Sequence, residues 1–175
     1  MNPLLPPPGP SLQLLVAPPA FQRQAATAFL AELAQVGPVR VLDGGNRFDV
    51  LTLNRALRRR AAPFYRALQR IQVSRAFTCY QMTALLEQSL PVGVPTLVLN
   101  LLTTFDDENA PLPERLRLLG ICLDRLRQAA RRAPVLLILH PRPEEEPFLH
   151  RVQKAVDGLW EAVPPGDPHH QPPLF

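Results

Sequence analysis

Arginine and aromatic side chains are concentrated in one part of the sequence, between residues 55 and 70. The arginines are Arg55, Arg58, Arg59, Arg60, Arg66 and Arg70. Phe64 and Tyr65 lie between them. Guanidinium groups bind phosphates and aromatic rings stack on bases, so this arginine patch has the chemistry of a nucleic-acid contact. A solvated helix end is the alternative interpretation, because the helix dipole also favours arginines at that end.

The segment VAPPAFQRQ is a second place where chemistry is expected, because it joins the apolar run LQLLVA to a helical pattern. Many nucleotide-binding domains hold phosphate at such a connection. A phosphate loop needs glycines whose backbone N–H groups converge on the phosphates, a lysine, and a serine or threonine for magnesium. The segment contains none of these residue types, and its Pro18 and Pro19 carry no N–H. The only lysine, Lys154, lies near the other end of the chain.

The remaining reactive residue types form no recognisable motif. Cys79 and Cys122 stand apart, without CxxC or Cys/His spacing, so we expect two buried, reduced thiols. His140 ends an apolar run, but the sequence places no nucleophile or orienting acid beside it, so a hydrogen-bonded histidine is favoured over a general base. We therefore expect no catalytic residue, no metal ion and no cofactor.

Short apolar runs and amphipathic segments alternate along the chain and define the elements that must position these residues. The runs LQLLVA, VRVLD, IQVSRA, TLVLNLL and VLLILH are too short for helices and predict buried strands of a parallel sheet. Helical spacing predicts one long helix from Pro113 to Ala130 and another that begins after Thr78, with Gln81 completing a capping box. The pattern predicts an α/β fold in three α/β/α layers with a mostly parallel central sheet.

Length and composition indicate one globular domain with two tails. The chain has 175 residues, a hydrophobic fraction of 46% and a formal net charge of +4. We assign a proline-rich N-terminal tail to residues 1–10, the domain to 11–164 and a disordered C-terminal tail to 165–175. No apolar run approaches the length of a membrane span, and the first residues lack the features of a signal peptide, so we expect a cytoplasmic protein that does not engage a membrane.

Three segments, taken in order, resemble the core of RecA-like ATPases, especially the strand-exchange recombinases and their paralogues. They are VRVLDGGNRFD, IQVSRAFTCYQM and TLVLNLLTTFDDENAPLPERLRLLGICLDRL. The third is the most specific, because it looks like a Walker B strand followed by a Phe-containing loop, a Leu-Pro-Glu-Arg turn and a long helix. The resemblance extends from about Leu12 to Val163 and implies a fold of the P-loop NTPase type.

The resemblance also implies that the nucleotide site is degenerate. Asn100 stands where the family has its Walker B aspartate, and Gly45 stands where the family has its water-activating glutamate. The changed positions comprise Pro18, Pro19, Gln22, Arg23, Gln24, Gly45 and Asn100. Phosphate cradle, metal site and general base are then lost together, which implies a pseudo-ATPase and not an enzyme. Arg23 or Arg40 could still contact a phosphate, although a solvated or salt-bridged arginine is favoured.

The functional prediction is a non-catalytic RecA-like paralogue that acts as a protein-interaction or accessory module in DNA recombination or repair. Its expected partner is another protein, either a RecA-like ATPase or a second copy of the chain. Phe48, Phe105 and the arginine patch are the predicted partner contacts, with core packing as the alternative for both phenylalanines. Two other functions stay open. One is DNA binding through the arginine patch without a partner ATPase, and the other is a degenerate nucleotide-sensing domain.

Overall fold

The computed structural model describes residues 9–60, 63–89, 92–106 and 109–162. The strands are β1 (Ser11–Val16), β2 (Val39–Asp43), β3 (Ile71–Arg75), β4 (Thr96–Leu99), β5 (Pro134–Leu139) and β6 (Gly158–Glu161). The helices are α1 (Pro19–Val36), α2 (Val50–Arg58), α3 (Phe64–Gln69), α4 (Cys79–Ser89), α5 (Leu112–Ala130) and α6 (Glu146–Ala155). The tail predicted over 165–175, and all but the last two residues of the tail predicted over 1–10, lie outside the described residues.

The six strands form one sheet in the order β3-β2-β4-β5-β1-β6, and every neighbouring pair is parallel. Helices cover both faces of this sheet. The first apolar core joins the sheet to α1, α2 and α3, and the second joins it to α4, α5 and α6. This arrangement confirms the predicted three-layer α/β/α fold with a parallel sheet and is consistent with a Rossmann-like or P-loop-like fold.

Alternate side chains of the central strands enter the two cores. In β5, Leu137 and Leu139 pack with α4, α5 and α6, whereas Leu136 and Ile138 pack with α1, α2 and α3. Because both faces are buried, the strand sequences are continuous apolar runs instead of alternating ones. The same burial explains why these strands could be predicted from the sequence.

The chain crosses the sheet in two directions. From β1 it passes over one face to β2 and β3, and from β3 it returns over the other face to β4, β5 and β6. The strand β1 therefore lies between β5 and β6, unlike the Rossmann order 3-2-1-4-5-6. Connections that leave neighbouring strands toward opposite faces open a crevice at the carboxyl edge of a sheet, which is where such folds bind ligands.

Two predicted boundaries differ from the structure. The run TLVLNLL is not one strand: β4 ends at Leu99, and Leu101–Phe105 forms a 3₁₀ turn. Asn100 separates the two with left-handed backbone angles of φ 49° and ψ 46°, a conformation that asparagine tolerates better than most residues. The second difference lies in PPAFQRQ, which is helical from Pro19 onward and is therefore not a loop.

The predicted helix signals are confirmed. The helix α5 covers Leu112–Ala130, and α4 begins directly after Thr78. The Thr78 hydroxyl accepts a hydrogen bond from the Gln81 N–H (3.2 Å), while the Gln81 side chain accepts one from the Phe77 N–H (2.8 Å). Within the described residues, no helix combines the length and the apolar character needed to cross a membrane.

Candidate functional site

A cleft of about 240 Å³ lies at the carboxyl edge of the sheet. One wall is the flank of α1, with Pro19, Gln22, Arg23, Ala26, Thr27 and Leu30. The opposite wall is the turn between β2 and α2, with Gly45, Arg47, Phe48 and Asp49, together with Leu53 of α2. Leu99, Asn100 and Thr103 at the end of β4, and His140 and Arg142 after β5, complete the lining. This carboxyl-edge cleft collects residues from four separate segments.

The connection from β1 to α1 is too short to be a phosphate loop. Only Ala17 and Pro18 lie between the two elements. The helix starts immediately, with the Gln22 N–H donating to the Pro18 carbonyl oxygen (3.0 Å). Because Pro18 and Pro19 have no N–H, the first turn of α1 offers free backbone donors only at Ala20 and Phe21. A connection of two residues is too short for its backbone to surround a phosphate group.

The predicted nucleotide-site positions are only partly brought together. Pro19, Gln22, Arg23, Gly45 and Asn100 line the carboxyl-edge cleft. Pro18 is the residue that precedes α1, and Gln24 is an exposed residue of α1 outside the lining. Gln22, Arg23 and Gln24 were expected in a turn, but all three lie on α1.

The turn between β2 and α2 is organised by the buried carboxylate of Asp43. This carboxylate accepts hydrogen bonds from the backbone N–H groups of Gly45 (3.2 Å), Arg47 (3.0 Å) and Phe48 (3.1 Å). It also lies 3.6 Å from Nε of Arg75, its register partner at the end of β3. One side chain thereby holds a whole wall of the cleft against the sheet.

Gly45 and Asn100, the positions of the two lost acidic residues of the resemblance, contact each other across the cleft. A Cβ atom at Gly45 would lie 3.0 Å from Cβ of Asn100, which is closer than ordinary packing allows. At the preceding Gly44, a Cβ would lie 2.7 Å from the Asn100 carbonyl oxygen. The turn therefore approaches the end of β4 so closely that both positions favour glycine. A glutamate at residue 45 would require the side chain of Asn100 or of Arg47 to shift by a few tenths of an ångström.

Three arginines line the cleft, and they differ in their partners. Arg142 contacts Asp106 and lies 3.1 Å from the Glu145 carboxylate, so its charge is compensated. Arg23 and Arg47 form no ion pair and no side-chain hydrogen bond with a described residue. Both are exposed to solvent at the cleft. The cleft is therefore lined by two arginines that have no ion-pair partner among the described residues, and by one carboxylate, that of Asp49.

Among the described residues of the lining, Asp49 is the acidic one, and it is the N-cap of α2. Its carboxylate accepts from the Thr52 backbone N–H (2.9 Å) and from the Thr52 hydroxyl (2.7 Å). These hydrogen bonds, with a smaller contribution from the charge of Arg23, lower the pKa of the Asp49 carboxyl. Asp49 stays ionised at neutral pH and stabilises the helix end, but it forms no ion pair with Arg23.

The arginine patch is mostly exposed, on α2, α3 and the chain that follows α2. Exposed members are Arg55, Arg58, Arg59, Arg60 and Arg66. None of these pairs with an acidic group among the described residues. The Arg58 guanidinium lies 4.8 Å from the centre of the Phe64 ring, a cation–π geometry. Aromatic and arginine side chains are therefore interleaved in space as well as in sequence.

Arg70 is the exception within the arginine patch. Its guanidinium donates hydrogen bonds to the carbonyl oxygens of Ala34 (3.0 Å) and Gln35 (2.6 Å) in the last turn of α1. A cation at this end satisfies carbonyl groups that have no partner inside the helix. Arg70 is thus a structural cap for α1, which corrects its predicted role as a binding residue.

The two phenylalanines predicted as partner contacts have different environments. Phe105 is fully buried, and its ring centre lies 6.1 Å from that of Phe148. It is a core residue with no surface for a partner, which corrects the prediction in favour of its alternative. Phe48 is half-buried, lines the carboxyl-edge cleft and packs against the core beneath α1.

Cys79 and Cys122 are both buried and form no disulfide bond, as expected from the sequence. Burial raises the pKa of the Cys122 thiol to about 12, although its contact with the Thr83 hydroxyl (3.4 Å) acts in the opposite direction. A thiol that stays protonated at neutral pH is a poor nucleophile. Among the described residues, no group of three or more His, Cys, Asp or Glu side chains is arranged to hold a metal ion.

Arg47 and Arg142 are cleft residues that the sequence analysis did not identify, and His140 was weighed only as a general base. The available signal was that each residue follows a predicted strand within a few residues, because such residues meet at the carboxyl edge of a parallel sheet. Models of known protein families and the curated protein sequences yield no match to this chain. The site is therefore interpreted from its own geometry.

Proposed function

We propose that this chain is a non-catalytic, RecA-like paralogue that acts as a protein-interaction or accessory module. The process implied by the sequence resemblance is DNA recombination or repair. The three similar segments, in their order, support the relationship. A parallel sheet covered by helices on both faces is compatible with it. A fold alone does not define a function, so the non-catalytic role must be argued from the residues of the site.

The observation that carries the proposal is the direct connection from β1 to α1. With only Ala17 and Pro18 between strand and helix, and with no N–H on Pro18 or Pro19, the backbone donors of a phosphate loop have no place. The neutral Asn100 offers no anionic ligand for magnesium, and Gly45 offers no base. The loss affects phosphate binding, metal binding and water activation at the same time.

Exposed apolar side chains at the β3 edge of the sheet support a role in protein binding. Val73 lies on β3 itself, Tyr65 on α3 before it, and Phe77 and Tyr80 directly after it, and all are exposed. Phe77 is exposed by 65% and Tyr65 by 76%. Tyrosine, phenylalanine and arginine are the residue types enriched in protein interfaces. This edge is the surface that a RecA-like ATPase or a second copy of the chain would contact.

Thermal unfolding with and without millimolar ATP and magnesium tests the loss of the nucleotide site. A ligand at about 100 times its Kd adds roughly 2.7 kcal/mol of stability, which raises the Tm of a domain of this size by roughly 5 to 10 °C. We expect no shift beyond that caused by magnesium alone, because the chain lacks the backbone donors. A RecA-like ATPase with an intact phosphate loop is the positive control. A reproducible shift with ATP and with a non-hydrolysable analogue contradicts the proposal.

DNA binding through the arginine patch is the second function that a specific observation favours. Its exposed arginines lack acidic partners, and Tyr65 beside them is free to stack on a base. In this case, replacing Arg58, Arg59 and Arg60 together by glutamine weakens binding to single-stranded DNA. It also lowers the slope of log affinity against log salt by about 2, because three phosphate contacts are lost.

Fluorescence anisotropy with a labelled oligonucleotide across a salt series measures this effect. The matched control replaces Arg125, Arg127 and Arg131, which are exposed arginines on α5 and at its end. That variant removes the same charge from a different surface. Equal losses in the two triple variants would show that net charge alone attracts DNA, and the arginine patch would then have no specific role.

A further inference from the structure

Two arginines without an ion-pair partner among the described residues line the carboxyl-edge cleft. Arg23 reaches it from α1, and Arg47 reaches it from the turn between β2 and α2. Asp49 in the same lining accepts two hydrogen bonds from Thr52 and forms no ion pair with either arginine, although the charge of Arg23 acts on it. Two guanidinium groups that line one cleft favour an anionic ligand, because each can donate charge-assisted hydrogen bonds to its oxygens. Their placement therefore calls for a negatively charged ligand.

A buried side-chain amide in the same cleft is a second observation that points to a ligand, and it does not depend on charge. Gln22 is only 7% exposed and lines the cleft, and its Nε2 has no hydrogen-bond partner among the described residues. Buried polar groups without a partner are uncommon, because the lost hydration is not replaced. An acceptor oxygen of a bound ligand would supply the missing hydrogen bond once the amide turns its NH₂ group toward the cleft.

The residues that follow β4 and β5 in the lining add neutral hydrogen-bond donors beside the arginines. The Thr103 hydroxyl, the Asn100 amide and the His140 imidazole belong to residues of the lining, and all can donate a hydrogen bond to an oxygen. The floor is apolar, with Leu30, Leu53 and Leu99. A few convergent polar groups over an apolar floor are the usual composition of a small-molecule site.

The cleft differs from a phosphate loop in the groups that would hold a ligand and in its size. Its α1 wall extends from Pro19 to Leu30, which is three turns of helix, so the ligand would be held by side chains along the flank of the helix. The volume of about 240 Å³ is also smaller than that of typical cofactor sites. Both observations favour a compact anion over a nucleotide.

We infer that the carboxyl-edge cleft binds the oxyanion group of a small metabolite, a phosphate or a carboxylate, between Arg23 and Arg47, with Gln22 as an additional donor. This inference goes beyond the proposed function, which needs no ligand. A compact anion that joins α1 to the β2–α2 turn would stabilise one arrangement of that turn. An interaction module could thereby respond to a metabolite without hydrolysing it.

Isothermal titration of the full chain with sodium phosphate, and separately with sodium malonate, tests the inference at constant ionic strength. The variant Arg23→Gln/Arg47→Gln is expected to bind about a hundredfold more weakly, because two charge-assisted contacts are lost. The matched control Arg127→Gln/Arg151→Gln removes the same charge from exposed positions on α5 and α6 and is expected to keep the wild-type Kd. Gln22→Leu is expected to weaken binding about tenfold.

Each result separates the inference from its competitors. Tighter binding of phosphate or of malonate identifies which oxyanion the cleft prefers. If the wild-type chain binds neither anion at millimolar concentrations, the inference is overturned. It is also overturned if the control variant loses as much affinity as Arg23→Gln/Arg47→Gln. Arg23 and Arg47 are exposed, so unchanged thermal unfolding of their variant in ligand-free buffer verifies its fold. An additional titration with ATP and magnesium tests the proposed function, which tight binding of ATP would contradict. The oxyanion inference is judged from the phosphate and malonate titrations alone.

Discussion

Replacement of Phe105 by alanine is expected to lower the free energy of unfolding by about 3 to 5 kcal/mol, the range typical of a buried phenylalanine. The ring is fully buried and packs near Phe148 of α6. The Phe105 carbonyl oxygen also accepts a hydrogen bond from the Arg115 guanidinium (2.9 Å), which lies 5.6 Å from the centre of the Phe148 ring. Truncation therefore leaves a cavity where the 3₁₀ turn, α5 and α6 meet. Urea unfolding monitored by circular dichroism measures the loss.

The matched control is Phe77→Ala. Phe77 is the same residue type but is 65% exposed, so its truncation is expected to change the free energy of unfolding by less than about 0.5 kcal/mol. The pair separates the two predicted roles of phenylalanine in this chain. If Phe105→Ala proved as stable as Phe77→Ala, Phe105 would have to be a surface residue, and the placement of the 3₁₀ turn against α6 would be wrong. Phe77→Ala is also the variant with which to measure partner binding, because its fold is preserved.

Replacement of Asp43 by alanine is expected to destabilise the chain by about 3 kcal/mol. The buried carboxylate satisfies the N–H groups of Gly45, Arg47 and Phe48, and each unsatisfied, partly buried donor costs about 1 kcal/mol or more. The ion pair with Arg75 is lost as well. Because the same carboxylate holds the β2–α2 turn, this variant should also lose anion binding in the carboxyl-edge cleft.

Two further variants make the measurement specific. Asp43→Asn is expected to lose less stability, because its amide oxygen can accept from some of the same N–H groups but its NH₂ group opposes another. Asp124→Ala removes an exposed aspartate of α5 and should leave the urea midpoint nearly unchanged. A loss below about 1 kcal/mol in Asp43→Ala would mean that water replaces the carboxylate and that the turn does not depend on it.

The central strands β2, β4, β5 and β1 could be predicted because they are buried on both faces. The run IQVSRA was expected to be a buried strand, but β3 lies at the edge of the sheet and is largely exposed. The run VRVLD corresponds to β2 residue for residue, and VLLILH differs from β5 by one residue at each end. The run TLVLNLL was extended too far, since its apolar residues continue into a 3₁₀ turn that enters the same core. Apolar character reports burial, and a buried turn produces the same pattern as a buried strand.

The site was less predictable, because its residues come from separate segments. Arg23 and Arg47 are 24 positions apart in the sequence numbering, and no local pattern relates them. Arg70 belongs to the same sequence cluster as Arg66, yet it caps α1 while Arg66 is exposed. Local composition identifies a cluster of charges, but only the packing of helices decides which of those charges reaches a carbonyl oxygen and which reaches water.

The sequence by itself determined the alternation of strands and helices, the burial of both sheet faces, and the absence of phosphate-loop residue types after the first strand. These are properties of consecutive residues, because periodicity and the missing N–H of proline act locally. Only the tertiary structure decided that Pro19 begins a helix directly after β1, that Gly45 lies close to Asn100, and that Arg23 and Arg47 line one cleft. Such contacts depend on the order of strands in the sheet, which non-local packing sets and which no segment of the chain encodes alone.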